Sequence, residues 1–148
     1  MEERKGKFGF RLKDGLDPKE FNLPIRQTEG SAGYDIYATA DLTLVPNSIA
    51  VMDSYIHVDN VPDGVVGKLY MRSSMGNKKQ VRLLNSVGVI DSDFRDTMLL
   101  GFHNFGGRIV GIKKGDRVAQ IVFGPFIKID DDKPLKQERT GGIGSTGK

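Results

Sequence analysis

Short runs of β-branched and aromatic residues alternate with turn signals along most of this chain, and this alternation limits the fold more than any other feature. Strand-like composition occurs at 9–14, 32–39, 49–58, 65–72, 81–91, 97–105 and 117–129. Turn sequences rich in Pro, Gly, Asn and Asp separate them at 45–48, 59–64, 104–107 and 113–116. Only 73–80 offers a short helical piece. The pattern predicts an all-β chain folded as a sandwich or jelly roll, whose sheets cover their own edges.

The length and composition fit one globular domain. A chain of 148 residues can bury its own core, and its 38% apolar content includes no run near the ~18 residues that a membrane span needs. The first ten residues show no secretory signal, and the absence of cysteine excludes disulfides, thiolate metal ligands and thiol nucleophiles. We therefore expect a soluble, cytoplasmic protein with no membrane partner.

The basic residues do not form a stripe. The net charge is +3, and the cations are scattered in short groups such as KKQVR at 78–82 and KK at 113–114. A protein that binds nucleic acid usually concentrates its cations on one face, with aromatic side chains between them. The sequence therefore predicts no nucleic-acid partner, although a few cations could still converge on a small polyanion.

The strand pattern stops near Asp130. The segment 130–148, DDDKPLKQERTGGIGSTGK, has only Leu135 and Ile143 as large apolar residues, too few to order it alone. We expect a core at 1–129 and a flexible C-terminal arm at 130–148, which is either frayed or ordered against a ligand or a neighbour. Its end, GIGSTGK, matches the G-x-x-x-x-G-K part of the P-loop consensus, but no Ser or Thr and no helix follow the lysine.

Two stretches carry side chains suited to phosphates and sugars. RSSMG at 72–76 places a guanidinium, two hydroxyls and a glycine at a strand end, which matches the oxygens of a phosphate. VGVIDSDFRD at 87–96 looks like two strands joined at a bend where Asp91, Asp93 and Phe94 are crowded. Each stretch alone is also common in turns and cores. No histidine spacing indicates zinc, and no Gly-x-Ser-x-Gly elbow indicates acyl transfer.

Five stretches in fixed order resemble the motifs of the trimeric deoxyuridine triphosphate nucleotidohydrolases, the dUTPases. They are GSAGYDIYA (30–38), RSSMG (72–76), NSVGVIDSDFRD (85–96), GDRVAQIVF (115–123) and RTGGIGSTG (139–147). The resemblance extends over nearly the whole chain from about Phe8. It implies a distorted jelly roll of the β-clip type and a homotrimer whose three active sites are shared between subunits. It also implies that the arm crosses to a neighbouring subunit and closes over the nucleotide.

The resemblance implies the hydrolysis of dUTP to dUMP and pyrophosphate, with Asp91 activating the water that attacks the α-phosphorus and also contacting the 3′-hydroxyl of the substrate. Asn85 and backbone groups of Gly88, Val89, Ile90 and Leu99 would bind uracil, and Phe94 would pack against the deoxyribose. The implied phosphate and arm contacts are Arg72, Ser73, Ser74, Gln120, Arg139, Ile143, Gly144, Ser145 and Thr146. Mg²⁺ would be held through the triphosphate and water, without direct protein ligands. Asp35 would support either the metal-bound waters or the framework of the site.

The chain departs from the family pattern at several positions. Phe94 stands where Tyr is usual, Ile143 where a Phe commonly stacks on the base, Met71 where Pro is common, and Asp96 where Gly often tips the bend. Only Thr140 separates Arg139 from the glycine pair. The ring at 94 keeps its packing role, whereas the aliphatic side chain at 143 weakens the contact with the base.

Two alternative functions remain open from the sequence. One is a dCTP deaminase, which shares the fold, but Gly101 stands where that family has its catalytic Glu. The other is a dUTPase-like protein with an added regulatory role, which would bind a host protein if the chain is phage-encoded.

Overall fold

The computed structural model describes residues 6–136 and Arg139, and it is almost entirely β-structure. The only helical element in this part is a π-helical turn at Ser74–Lys78, inside the predicted helical piece 73–80. The strands are β1 (Gly9–Leu12), β2 (Tyr34–Tyr37), β3 (Leu42–Leu44), β4 (Ile49–Asp53), β5 (Ile56–Asp59), β6 (Val65–Met71), β7 (Val81–Leu83), β8 (Gly88–Ile90), β9 (Leu99–Asn104), β10 (Val110–Ile112) and β11 (Arg117–Pro125). The described residues contain no helix of the length and apolarity that crossing a membrane requires.

The strands pair in four small antiparallel sheets. The largest has the order β2-β11-β6-β8, a second has the order β4-β9-β7, and β1–β5 and β10–β3 form two-stranded sheets. Neighbours in these sheets are mostly distant in the chain, which is how a jelly roll covers its edges. The predicted all-β fold is confirmed.

The segment 49–58, predicted as one strand, is two strands. Tyr55 adopts a left-handed backbone with φ of 61°, a conformation that few residues other than glycine take. Side chains stabilise the break, because Tyr55 N donates to Asp53 Oδ1 (2.8 Å) and Ile56 N donates to Ser54 Oγ (3.1 Å). The chain therefore passes from the β4-β9-β7 sheet to the β1–β5 sheet at this point.

The segment 81–91 is also two strands, β7 and β8, separated by a turn in which Ser86 has a φ of 63°. Leu84 N still donates to Gly101 O (2.9 Å), after which the chain leaves β9 and joins β6. The sequence pattern does not predict the strands β3 and β10. Each has only three residues, too few for an alternating pattern to stand out.

The core lies between the sheets and is built from alternate residues of the strands. Along β9, Leu100 and Phe102 are fully buried while Leu99 is exposed. Burying a side chain of this size stabilises the fold by about 1.5–3 kcal/mol relative to leaving it in water. Asn104, also fully buried, donates from Nδ2 to Leu44 O (2.9 Å) and Arg108 O (2.7 Å). The interior thus ties β9 to β3 and to the turn before β10.

Candidate active site

Two arginine side chains meet around one buried carboxylate at the end of β6. Asp35 on β2 is 7% exposed, and its two oxygens face different arginines. Arg72 Nε lies 3.4 Å from Oδ1, and Arg117 Nη1 lies 3.4 Å from Oδ2. Arg72 Nη1 also donates to the carbonyl oxygen of Arg117 (3.1 Å). A buried carboxylate is tolerated when it is paired in this way, and the pairing fixes both guanidinium groups.

The π-helical turn brings hydroxyl and backbone groups next to Arg72. Met75 N and Gly76 N both donate to Arg72 O (3.0 and 3.1 Å), and the buried side chain of Met75 anchors the turn in the core. Ser73 is exposed at the start of the turn and Ser74 follows it. Hydroxyls and a guanidinium held side by side suit phosphate oxygens.

A polar cavity of about 410 Å³ opens at this place, and we call it the arginine pocket. Its lining residues are Gln27, Tyr37, Arg72, Ser74, Met75, Lys79, Gly115, Asp116 and Arg117. Arg117 and Lys79 were not among the residues assigned from the sequence. Arg117 lies in the GDRVAQ motif, in which the sequence singles out only Gln120, and Lys79 lies in the scattered basic group at 78–82.

Gln120 lies on β11 between β2 and β6, opposite Asp35 and Tyr70. Its side chain packs against Gly33: a Cβ atom on Gly33 would lie 3.2 Å from Gln120 Cβ and still closer to its amide oxygen. Glycine at position 33 therefore leaves the space that the Gln120 side chain occupies. This contact brings together two motifs that are far apart in the sequence, GSAGYD and GDRVAQ.

A second group of side chains lies at the bend after β8. Phe94 N donates to Asp91 O (3.1 Å), which closes the bend, and the Phe94 ring is buried. The Asp91 side chain is 51% exposed. Arg139 Nη1 donates to Asp91 Oδ2 (3.0 Å) and to Asp93 Oδ1 (3.5 Å), and its guanidinium lies 5.3 Å from the centre of the Phe94 ring. The structure thus places a solvent-accessible carboxylate, an aromatic ring and a cation together.

The strands on either side of this bend are not paired, so the predicted strand pair at 87–96 is wrong. β8 pairs with β6, whereas β9 lies between β4 and β7. The last β7–β9 pair is Leu83 with Phe102, so Leu99 lies beyond the end of β7. The β8 edge that faces away from β6 has no strand partner among the described residues.

The backbone of Leu99 is directed towards this open side. Met98 N donates to Ile56 O (3.0 Å) and Met98 O accepts from Ser54 N (3.0 Å), so the polar groups of Met98 point to β5. Successive residues of an antiparallel strand point their backbone groups to opposite sides. Asn85 lies next to Gly88, where a Cβ atom would be 3.4 Å from Asn85 Nδ2. We call the region bounded by the free edge of β8, Leu99 and Asn85 the cleft; its backbone groups and one side-chain amide can donate and accept hydrogen bonds.

The two groups of side chains lie at opposite ends of β6. Ile90, just before Asp91, pairs with Gly67, while Arg72 follows Gly67 by five residues. At a rise of about 3.4 Å per residue, the two ends are separated by about 17 Å along the strand. The two groups are therefore well separated within one chain.

Comparison with known proteins identifies the family. A family model described as dUTPase matches residues 19–147.

This chain belongs to the dUTPase family.

The relatives are similar over nearly their whole length. A deoxyuridine 5'-triphosphate nucleotidohydrolase from Lactococcus lactis subsp. lactis (strain IL1403) is 40% identical, over 94% of this chain and 97% of that protein. The crystal structure of the dUTPase from Streptococcus mutans matches with a TM-score of 0.73 and 32% identity, covering 82% of this chain and 98% of that chain. The resemblance inferred from the five motifs is confirmed.

A phage dUTPase shares the fold at lower identity. A mutant dUTPase from phage phi11 of S. aureus, whose structure describes the coordination of a structural Mg(II) ion, matches with a TM-score of 0.74 and 21% identity. It covers 89% of this chain and 99% of that chain.

The structure of this dUTPase-family chain sorts the predicted site residues into three sets. Those at the β6 end are Arg72, Ser73, Ser74 and Gln120, with Asp35 beneath them; those at the bend and cleft are Asn85, Gly88, Val89, Ile90, Asp91, Phe94, Leu99 and Arg139. The predicted contacts at Ile143, Gly144, Ser145 and Thr146 lie outside the described residues. No group of three or more His, Asp or Glu side chains that could hold a metal occurs in residues 6–136 or at Arg139.

Proposed function

We propose that the protein hydrolyses dUTP to dUMP and pyrophosphate, and that Asp91 activates the water that attacks the α-phosphorus. The observation that carries the proposal is the half-exposed Asp91 carboxylate at the bend after β8, beside the Phe94 ring and the Arg139 guanidinium. A carboxylate within hydrogen-bond reach of a water can accept its proton as the oxygen attacks phosphorus. The name of the L. lactis relative supports this choice of reaction.

The cleft supports the choice of base and sugar. Uracil presents both acceptors and a donor on one edge, and the backbone of Gly88–Ile90, the backbone of Leu99 and the Asn85 amide supply the complementary groups. The buried ring of Phe94 would pack against the deoxyribose and leave little room for a 2′-hydroxyl.

The arginine pocket supports triphosphate binding. Arg72, Ser73, Ser74 and Gln120 would contact the phosphates, and Asp35 would act by holding Arg72 in place. Both Asp35 oxygens face arginines, which favours a framework role for this residue over support of metal-bound waters.

Mg²⁺ fits this site as an ion held by phosphate oxygens and water. The described residues offer no acidic cage, and Mg²⁺ commonly keeps several waters and binds through substrate phosphates. When bound, the ion would neutralise phosphate charge and align the chain for in-line attack. The Mg(II) ion described in the phage phi11 protein is consistent with this requirement.

The separation of the two half-sites supports an oligomer with shared sites. Gly67, which pairs with the residue before Asp91, and Arg72 lie about 17 Å apart along β6. A site that takes Asp91 from one chain and Arg72 from another would bring both to one triphosphate. A homotrimer with three such sites satisfies this requirement. Arg139 lies against Asp91 of its own chain, so the crossing of the arm to a neighbouring subunit stays a prediction.

The two alternatives receive no support from the described residues. Gly101, where a deaminase has its Glu, packs against Leu84: a Cβ atom there would lie 2.8 Å from Leu84 Cδ1. A regulatory host partner stays a prediction. A cytoplasmic location follows from the proposed reaction, since the nucleotide pool is there.

The decisive experiment compares pyrophosphate release from dUTP, dTTP, UTP and dCTP in the presence of Mg²⁺. We expect rapid release from dUTP and little from the others. We expect the methyl group of dTTP and the 2′-hydroxyl of UTP to be excluded by lack of space. The amino group of dCTP would present a hydrogen-bond donor where an acceptor is needed. Comparable turnover of UTP or dTTP would contradict the assignment of the cleft as the uracil and deoxyribose site.

A further inference from the structure

A second cavity adjoins the arginine pocket, and Lys79 belongs to the walls of both. This cavity, which we call the basic groove, has a volume of about 310 Å³ and is lined by Lys78, Lys79, Arg108, Ile109, Val110 and Gly111. In the described part of the chain, none of its three cationic side chains pairs with a carboxylate. The cations are therefore available to an external anion.

The two walls of the groove are fixed to each other. Lys78 and Lys79 end the π-helical turn, and the next residue, Gln80, contacts the turn that leads to Arg108. Phe105 N donates to Gln80 O (3.0 Å), and Gly106 packs so closely that a Cβ atom there would lie 2.8 Å from Gln80 Cβ. The spacing between the lysines and Arg108 is thus set by backbone contacts and does not depend on flexible side chains alone.

The wall that carries Arg108 is also tied to the core. Asn104, which is fully buried, donates from Nδ2 to Arg108 O (2.7 Å), and its Oδ1 accepts from Gly106 N (3.0 Å). A buried, fully hydrogen-bonded amide rigidifies the segment that it holds. The groove is therefore a preformed surface.

The charge of the two cavities together is strongly positive. The arginine pocket adds Arg72 and Arg117 to the three cations of the groove. Of the acids nearby, Asp35 is buried between the two arginines, and Asp116 Oδ2 accepts from Lys113 N (2.9 Å). The five cations outnumber these two carboxylates, and a concave surface with such an excess of positive charge attracts small anions.

We propose that the basic groove is a second anion site that binds inorganic pyrophosphate next to the arginine pocket. This inference rests on the proposed function, because pyrophosphate is the product that the arginine pocket would release. A diphosphate carries several negative charges on two centres, which three cations on two facing walls can contact together. Lys79, shared by the two cavities, would contact the anion as it moves from one to the other.

The test counts pyrophosphate ions bound to the full-length protein by isothermal titration calorimetry at low ionic strength. The wild type is expected to bind about two per chain, and a saturating nonhydrolysable dUTP analogue should reduce this to about one, since exposed charges act strongly when salt is low. The double variant Lys78→Ala with Arg108→Ala should bind about one without the analogue and none with it. Its thermal unfolding should match the wild type, because both side chains are exposed.

A control variant carries Lys19→Ala and Lys128→Ala, two exposed lysines of the core that lie outside both cavities and give the same change in net charge. It should bind pyrophosphate as the wild type does. The inference is overturned if the groove variant binds as many ions as the wild type, or if the control loses the same site. If the analogue displaces no pyrophosphate but the groove variant still loses one ion, the groove stands and the nucleotide assignment of the arginine pocket fails.

Discussion

The burial and pairing of Asp35 favour one of the two roles that the sequence leaves open. From the sequence, its carboxylate could support metal-bound waters or the framework of the site. The structure surrounds it with Arg72 and Arg117 and leaves it 7% exposed. The sequence could not predict this, because the three residues come from segments far apart in the chain and meet only through the pairing of β2, β11 and β6.

The substitution Asp35→Asn is expected to lower both stability and phosphate binding. It leaves two arginines beside a neutral amide, and because both arginines are partly exposed the loss should be about 2 kcal/mol, below that of a fully buried pair. The expected fall in melting temperature is about 4–8 °C, measured by calorimetry. Asp63→Asn, at an exposed position on a turn, is the control. An unchanged melting temperature for Asp35→Asn would contradict the framework role.

Asp91 is the residue whose loss should affect chemistry without affecting binding. Asp91→Asn keeps the shape of the bend, since Phe94 N bonds to the main-chain oxygen of residue 91. Loss of a general base commonly lowers the rate by about 10²–10⁴-fold. We expect pyrophosphate release from dUTP to fall in this range, while a nonhydrolysable analogue binds within a few-fold of the wild-type affinity. Asp93→Asn, on the same bend, should retain most of the activity; equal losses in the two variants would count against Asp91 as the base.

At the scale of the elements, composition located the strands but not their breaks or their partners. Alternation and turn residues indicated most strands and the short helical piece. The breaks depend on Tyr55 and Ser86 in left-handed conformations, which neither residue type signals. The assignment of β8 and β9 to different sheets depends on contacts with β6 and β4, which are remote in the chain. The other site residues could be predicted from the motifs and their order. The place of Arg117 and Lys79 in the arginine pocket could not, because it depends on the cavity that the folded chain forms.

Asn104 joins several elements, and its replacement should destabilise more than its size suggests. Asn104→Ala removes bonds to Leu44 O, Arg108 O and Gly106 N from a fully buried position. Each buried group left without a partner costs about 1–3 kcal/mol, so a loss of about 3 kcal/mol or more in the free energy of unfolding is expected. Urea denaturation measures it, with the exposed Asn77→Ala as a control that should change little. A loss below about 1 kcal/mol would argue that water replaces the amide.

At the scale of the whole molecule, the arrangement of the site predicts complementation between inactive chains. Asp91→Asn and Arg72→Ala should each be inactive alone. If every site takes Asp91 from one chain and Arg72 from another, refolding an equal mixture should restore about a quarter of the sites, by random assembly of symmetric oligomers. Pyrophosphate release by the mixture measures this.

The matching control mixes Asp91→Asn with a double variant that carries both substitutions, because no pairing of these chains gives an intact site. Activity in this control mixture, or none in the first mixture, would mean that the sites are not shared in the proposed way.

The free edge of β8 affects how the protein behaves when no nucleotide is bound in the cleft. A strand edge with unmatched amide and carbonyl groups can recruit a strand from another molecule and start sheet growth. A nucleotide lying along that edge would cap it. Bound substrate would then protect the protein against this kind of association. When the substrate is depleted, the free edge of β8 would be most prone to pair with another molecule.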